Sequence, residues 1–319
     1  MARPGALAIP CQTRSVPDIE IALDGPFDLS TTLRPLVRGN GDRTIRLAPG
    51  RAWWAGRTAA GPAALAFTVG RDRVGVDAWG PGADLALARS SRLIGLGPGA
   101  VGSGSLATAR DRRIADLARR HPGVHIPRTE AVFDAVVAAI VEQKVTGTEA
   151  RHVWRGLVRT YGEPAPGPAE VGLRLLPAPA VLASLPYYRY HPLGLERRRA
   201  DLIRWVAARA DWFEATVDLP LPEAYARLQA VPGIGPWTAA EVGVRALGDT
   251  DAVSVGDFHI PSMVTWALAG EARGSDARML ELLEPFRPHR GRVQRLLEAG
   301  HPMPPRRGPR MPLRNLAQH

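Results

Sequence analysis

Residues 228–261 read LQAVPGIGPWTAAEVGVRALGDTDAVSVGDFHIP. The stretch opens as the end of a helix, with Tyr225, Leu228 and Val231 at helical spacing. Pro232-Gly233-Ile234-Gly235 breaks that helix, and Pro236 takes a first-turn position, where a missing N–H is no loss. The second helix is expected from Trp237 to about Leu247, with Gly248 as a left-handed cap. A loop rich in Asp and small residues follows, and Asp257 stands just before another helical start, FHIPSMVTWAL. Two helices joined by a Gly-x-Gly hairpin present bare amides and a helix N-terminus, which suits a phosphate. A carboxylate on the next helix start would face whatever carries that phosphate.

The whole chain fits this reading. It has 319 residues, 45% hydrophobic and 23% charged, enough for two or more globular domains. Lys+Arg is 41 against Asp+Glu 31, a net charge of +10, and the pI is about 10.9. Such an excess favours a polyanionic partner, nucleic acid first and a membrane surface second. Lys144 is the only lysine; the arginine bias, with the Ala, Gly and Pro excess, is what a GC-rich genome produces. The single cysteine, Cys11, excludes an internal disulfide, a four-Cys iron–sulfur cluster and a Cys-based zinc site. No run is long and apolar enough to span a membrane, and MARPGALAIPCQTR lacks a signal-peptide core, so the cytoplasm is the expected compartment.

Along the chain, residues 1–17 read as a loose Pro-rich arm. From Asp18 to Trp79 the pattern is short and strand-like: Ile19, Ile21 and Leu23 alternate, and Ala64–Val69 and Val74–Val76 flank a turn at Gly70–Arg73. Trp53 and Trp54 fall in a middle strand, one expected in the core and one at its edge. A short helix from Gly82 to about Arg92 completes an α+β unit with an antiparallel sheet, residues 1–100. The glycine-rich LGPGAVGSGS at 96–105 lacks the lysine of a phosphate loop and reads as a connector.

A mostly α-helical domain is expected over 106–300. Thr129 and Thr148 are the expected caps of its first two long helices, and 163–179 is a Pro-rich loop. Leu195–Ala210 is amphipathic, with Leu202, Ile203 and Val206 inward and an arginine-rich outer face. Residues 301–319 form a basic, Pro-rich tail expected to be disordered and able to add a phosphate contact.

Taken together, VPGIGPWTA followed by SVGDFHIP resembles the hairpin-plus-aspartate signature of the helix-hairpin-helix DNA glycosylases. AVFDAVVAAIVEQKVTGTEA is similar to the motif with which that superfamily plugs DNA, and LLEPFRPHRGRVQRLL to its closing helices. The likeness covers roughly residues 125–300, and its nearest branch is the bacterial DNA-3-methyladenine glycosylase II type. It implies a duplex-DNA partner, a monomer and a hydrolase that needs no redox cofactor or catalytic metal.

Carried over position by position, the resemblance assigns Asp257 as the catalytic carboxylate; an ordinary helix cap is compatible with that role. Gly233, Ile234 and Gly235 would grip phosphate through main-chain N–H groups. The family's monovalent cation would sit on carbonyls of Gln229, Val231 and Ile234. Trp237 suits either a core position or a π-face for a flipped cationic base. The family's bifunctional members place a Schiff-base lysine where Trp237 stands, so a monofunctional enzyme is implied. Gln143 and Lys144 occupy the wedge, where an uncharged side chain is usual. Lys144 either fills the gap of the flipped base, meets a phosphate or complements a helix end. Glu241 stands where a pocket aromatic is expected, and Glu298 where a second one is; Tyr187, Tyr188 and Tyr190 are candidate replacements or simple packing. Two alternatives stay open: a catalytically silent DNA-binding protein on the same hairpin, and a bifunctional glycosylase/lyase using Lys144.

Overall fold

The structure, a computed structural model, describes residues 18–304; the arm with Cys11 and most of the basic tail lie outside the described residues. Strands β1 (Ile19–Ala22), β2 (Ile45–Ala48), β3 (Arg51–Thr58), β4 (Gly61–Val69) and β5 (Arg73–Trp79) form one antiparallel sheet in the order β1-β5-β4-β3-β2. The turn at Gly70–Arg73 closes with the Gly70 N–H on the Arg73 carbonyl at 2.8 Å, so β4 and β5 pair directly. Helices α1 (Leu29–Leu33) and α2 (Ala83–Leu93) supply Leu29, Leu33, Ala86 and Leu93 to the core on one sheet face, with Trp54, Leu65, Phe67 and Val76.

Trp53 and Trp54 depart from the expected core-and-edge pair. Successive strand residues point to opposite faces, and here both faces are covered, so both rings are buried. Trp53 packs against Val171, Leu173 and Leu175, which belong to the Pro-rich stretch after 163. That stretch is therefore a lid on the second sheet face, tied down where the Arg174 N–H meets the Arg43 carbonyl at 2.7 Å.

The rest is helical: α3 (Arg112–Arg120), α4 (Val132–Glu142), α5 (Gly147–Tyr161), α6 (Pro179–Ser184), α7 (Tyr187–Tyr190), α8 (Arg197–Ala207) and α9 (Ala210–Glu214). They are followed by α10 (Leu221–Gln229), α11 (Pro236–Val242), α12 (Ile260–Ala269), α13 (Asp276–Leu283) and α14 (Arg290–Gly300). Their apolar residues build two cores. The central one gathers Val136, Ile140, Trp154, Ile203, Phe213, Leu228 and Val242 around α4, which is apolar on nearly every side. The other is made from both ends of the helical region, with Ile114 and Leu117 beside Met263, Val264, Met279, Leu283, Val293 and Leu296. Among the described residues no helix is long and apolar enough to cross a membrane.

Two caps differ from expectation for physical reasons. The first amides of α4 are satisfied from a distance: Glu214 accepts the Val132 and Phe133 N–H groups at 3.0 Å each, while Thr129 takes only the Ala131 N–H at 3.3 Å. Helix α5 is capped by Thr146 rather than Thr148, because Glu149 lies three residues on and closes a capping box.

Burial pushes the Glu214 carboxyl up to about 7, and the neighbouring Asp134 carboxylate adds to this, against the two amide donors. A raised folded-state value means that the stabilising contribution is whole below the unfolded value near 4.5 and is lost as pH rises towards 7. Urea melts between these limits should show stability falling with pH, by up to about 1.4 kcal/mol per unit from this group. In Glu214→Gln, which keeps an acceptor for the α4 amides, the slope should flatten.

Candidate active site

The hairpin between α10 and α11 is set by its glycines. Gly233 has φ +99°, in the left-handed region, and a Cβ there would meet the Leu202 side chain at 2.9 Å. Gly235 has open space where a side chain would project. Ile234 anchors the loop in the central core, and its N–H is used internally, donating to the Val231 carbonyl at 2.9 Å. Of the three residues expected to offer amides, Gly233 and Gly235 keep theirs outside any loop bond among the described residues, and Ile234 does not. Helix α11 continues through a π-helical turn, Gly243–Leu247, and stops at Gly248 with φ +70°.

The turn between α4 and α5 is brought against this hairpin. Gln143 Nε2 donates to the Gly233 carbonyl and to Thr238 Oγ1, both at 2.9 Å. Its side chain is thereby a strut between the two turns. Lys144 is exposed and sits at φ +52°, a left-handed conformation that disfavours any residue with a Cβ by roughly 1–2 kcal/mol. Strain of this kind persists where the surroundings impose it.

Asp257 is held by three N–H donors. Its Oδ1 accepts from the His259 and Ile260 amides at 2.7 and 2.9 Å, and its Oδ2 from Trp237 Nε1 at 3.0 Å. The cap reading and the site reading of this residue therefore coexist. Trp237 packs on the central core, whereas Val255 and Ile260 pack on the other, so the indole–carboxylate bond spans the line where the two helical cores meet. Beside it, Phe258 is 84% exposed, its ring edge-on to His259 at 4.9 Å. In the sequence the only signal for Phe258 is a lone aromatic next to the acid.

Glu241 is not a pocket wall. It is 6% exposed, and both its oxygens are engaged inside the protein. Oε2 meets Arg245 at 2.8 Å, while Oε1 accepts the Ser254 hydroxyl at 2.6 Å and lies 3.9 Å from Arg295. Burial pushes the carboxyl up, but Arg245 and Arg295 outweigh it and hold it below its usual value. Arg245 reaches further, to Glu142 Oε2 at 2.9 Å and the Pro35 carbonyl at 3.1 Å. Glu298 joins the same set through Gln294 at 3.0 Å and Arg295 at 2.5 Å. Tyr190 is fully buried with its hydroxyl on the Leu182 carbonyl at 2.6 Å, so it packs rather than lining a site. Among the described residues no group of three His, Cys, Asp or Glu could hold a metal ion.

The comparisons with known proteins bear on the fold and the relatives of the chain. No family model matches the chain. A Mycobacterium tuberculosis protein described as a probable bifunctional transcriptional activator/DNA repair enzyme AlkA is 33% identical over 177 residues, 48% of this chain and 35% of its own length. The Escherichia coli DNA-3-methyladenine glycosylase 2 is 28% identical over 148 residues, 45% of this chain and 51% of its own. The match thus spans from about a third to half of these curated relatives. A solved 3-methyladenine DNA-glycosylase from Archaeoglobus fulgidus superposes with a TM-score of 0.74 at 20% identity, over 88% of this chain and 97% of that one. The fold is that of the helix-hairpin-helix DNA glycosylases, an antiparallel sheet followed by helices. Within that class the resemblance read from the motifs, to the 3-methyladenine branch, is the one its relatives carry.

Breaking a buried ion pair from one side leaves the other charge uncompensated. Glu241→Ala should therefore lower the unfolding free energy by about 3 kcal/mol in a urea melt, far beyond the effect of an Ala substitution on an open pocket wall.

Proposed function

We propose that the protein is a DNA base-excision repair glycosylase that hydrolyses the N-glycosidic bond of alkylated purines, after turning the nucleotide out of the duplex. The observation that carries this is Asp257, a carboxylate fixed by three N–H donors beside an exposed aromatic ring, where the two helical cores meet. The hairpin and the strained Lys144 turn, joined by Gln143, support it.

In this reading the Gly233 and Gly235 amides hold a backbone phosphate and Lys144 fills the gap left by the base. Trp237 and Phe258 offer π-faces to the extruded purine, which carries positive charge when alkylated at N3 or N7. As the C1′–N bond lengthens, positive charge grows on the sugar, and Asp257 stabilises it. Oδ2 uses one lone pair on the indole and has another for the sugar or the attacking water. Water oxygen bonds to C1′, its proton passes through the carboxylate to solvent, and the base leaves with the bonding pair, cancelling its own charge. A departing group of that kind needs little help from a general acid.

Trp237, in place of a Schiff-base lysine, supports a monofunctional hydrolase; the reading includes a monomer acting on duplex DNA in the cytoplasm, without redox cofactor or catalytic metal. Carbonyls of Gln229, Val231 and Ile234 would hold a monovalent cation that steadies the hairpin; the Val231 oxygen accepts one N–H and has a second lone pair for it.

Asp257→Asn should retain fold and DNA binding while the single-turnover excision rate on methylated duplex falls by roughly 10²-fold or more. Full activity in this variant would remove the carboxylate from the chemistry, and binding without excision in the wild type would leave a silent DNA-binding protein. Lys144→Gly should raise stability by about 1 kcal/mol, by relieving the left-handed strain, and slow excision. Borohydride with abasic DNA should trap no adduct; one that is lost in Lys144→Ala would make the enzyme a lyase as well.

A further inference from the structure

A cation–aromatic cluster stands on the outer surface next to the hairpin, and the site described above does not use it. Arg209 lies over the Trp205 ring at 4.2 Å and Arg227 over the Trp212 ring at 4.2 Å, with the edge of Phe213 between the two indoles. Both tryptophans are 38% exposed, unusual for such large rings in a chain that buries most of its aromatics. The position follows from α8. Its Arg199 donates to the Val141 carbonyl at the end of α4, next to the wedge turn, at 2.8 Å, and its Leu202 lies under Gly233 of the hairpin. Trp205 is one turn beyond Leu202 on the same face, and Arg227 is on the last turn of α10, just before the hairpin. The cluster thus continues the line on which both turns lie.

Arg197 and Arg204 on the same helix are paired with Asp201, at 3.4 and 3.3 Å. Arg209 and Arg227 have no carboxylate within ion-pairing distance among the described residues; each spends one N–H on a tryptophan carbonyl, Trp205 and Trp212, at 3.4 and 2.7 Å. Each guanidinium is held over an indole ring, that of Arg209 exposed and that of Arg227 half-buried with its Nε inside the protein. That geometry presents an oriented fork to a phosphate and leaves little side-chain freedom to lose on binding. With a net charge of +10, an anionic partner is the complementary one.

We infer that Arg209 and Arg227, stacked on Trp205 and Trp212, grip the phosphodiester backbone of the duplex flanking the lesion and extend the footprint beyond the hairpin. This rests on the glycosylase reading for the presence of DNA at the hairpin, but not on its chemistry. The test is binding of undamaged duplexes, one of about 30 base pairs and one too short to pass the hairpin, titrated over a range of salt. Each neutralised phosphate adds about 0.9 to the slope of log K against log salt. Arg209→Ala/Arg227→Ala should lower that slope by about 2 and weaken the long duplex by roughly one to two orders of magnitude near 100 mM salt. Affinity for the short duplex and the excision rate at saturating enzyme should not change. Arg209→Lys/Arg227→Lys keeps both charges and should restore the slope. An unchanged slope and affinity on the long duplex would overturn the inference, as would a lysine pair that restores nothing, since the alanine effect would then be structural. The glycosylase reading is judged separately: a lowered slope without any excision leaves the cluster standing, while excision with a full slope removes the cluster alone.

Discussion

The buried Glu241–Arg245 pair is the constraint on which the arrangement of the three cores depends. One turn of helix apart, the two side chains reach in different directions: Arg245 to Glu142 on α4 and to the Pro35 carbonyl beside the sheet, Glu241 to Ser254 and Arg295 in the other helical core. An ionised carboxylate is tolerable at this depth only because two guanidinium groups and a hydroxyl compensate it. Apolar side chains could fill the same volume, but they would not specify which turn of which helix must face which. The pair lies on the helix that begins with the hairpin, so the orientation it enforces is passed directly to Trp237 and, across the junction, to Asp257.

That junction explains why the site has the character it does. A carboxylate inside a single core would be occluded; one on a free loop would wander. Here the Asp257 loop belongs to one helical body and its indole partner to the other, so the acid is fixed without being sealed inside either core. Glu214 does a related job at the start of α4, where a carboxylate from a distant helix substitutes for a local cap and locks α9 to the central helix.

Much of this was legible in the sequence where the rules are local. Gly233, Pro236, Gly248 and Asp257 follow from backbone geometry, and all took their expected places. The Thr146–Glu149 capping box is equally local, and it places the cap two residues before the expected Thr148. What failed depended on distant partners. Glu241 could be seen to have Arg245 four residues on, but not Ser254 or Arg295; Thr129 could not be seen to yield its cap to Glu214. The two tryptophans at 53 and 54 are both buried, and nothing local says that a Pro-rich stretch more than a hundred residues later covers the second face of the sheet.

The composition gives one of these features a further use. A chain with 41 basic side chains and a single lysine carries only one side-chain amine, and it stands at the exposed tip of the turn after α4. Reagents that acylate amines would modify the chain there and at its N-terminus alone, leaving the arginines unlabelled. The protein thus has a built-in attachment point for a spectroscopic reporter at that exposed tip, without any engineered residue.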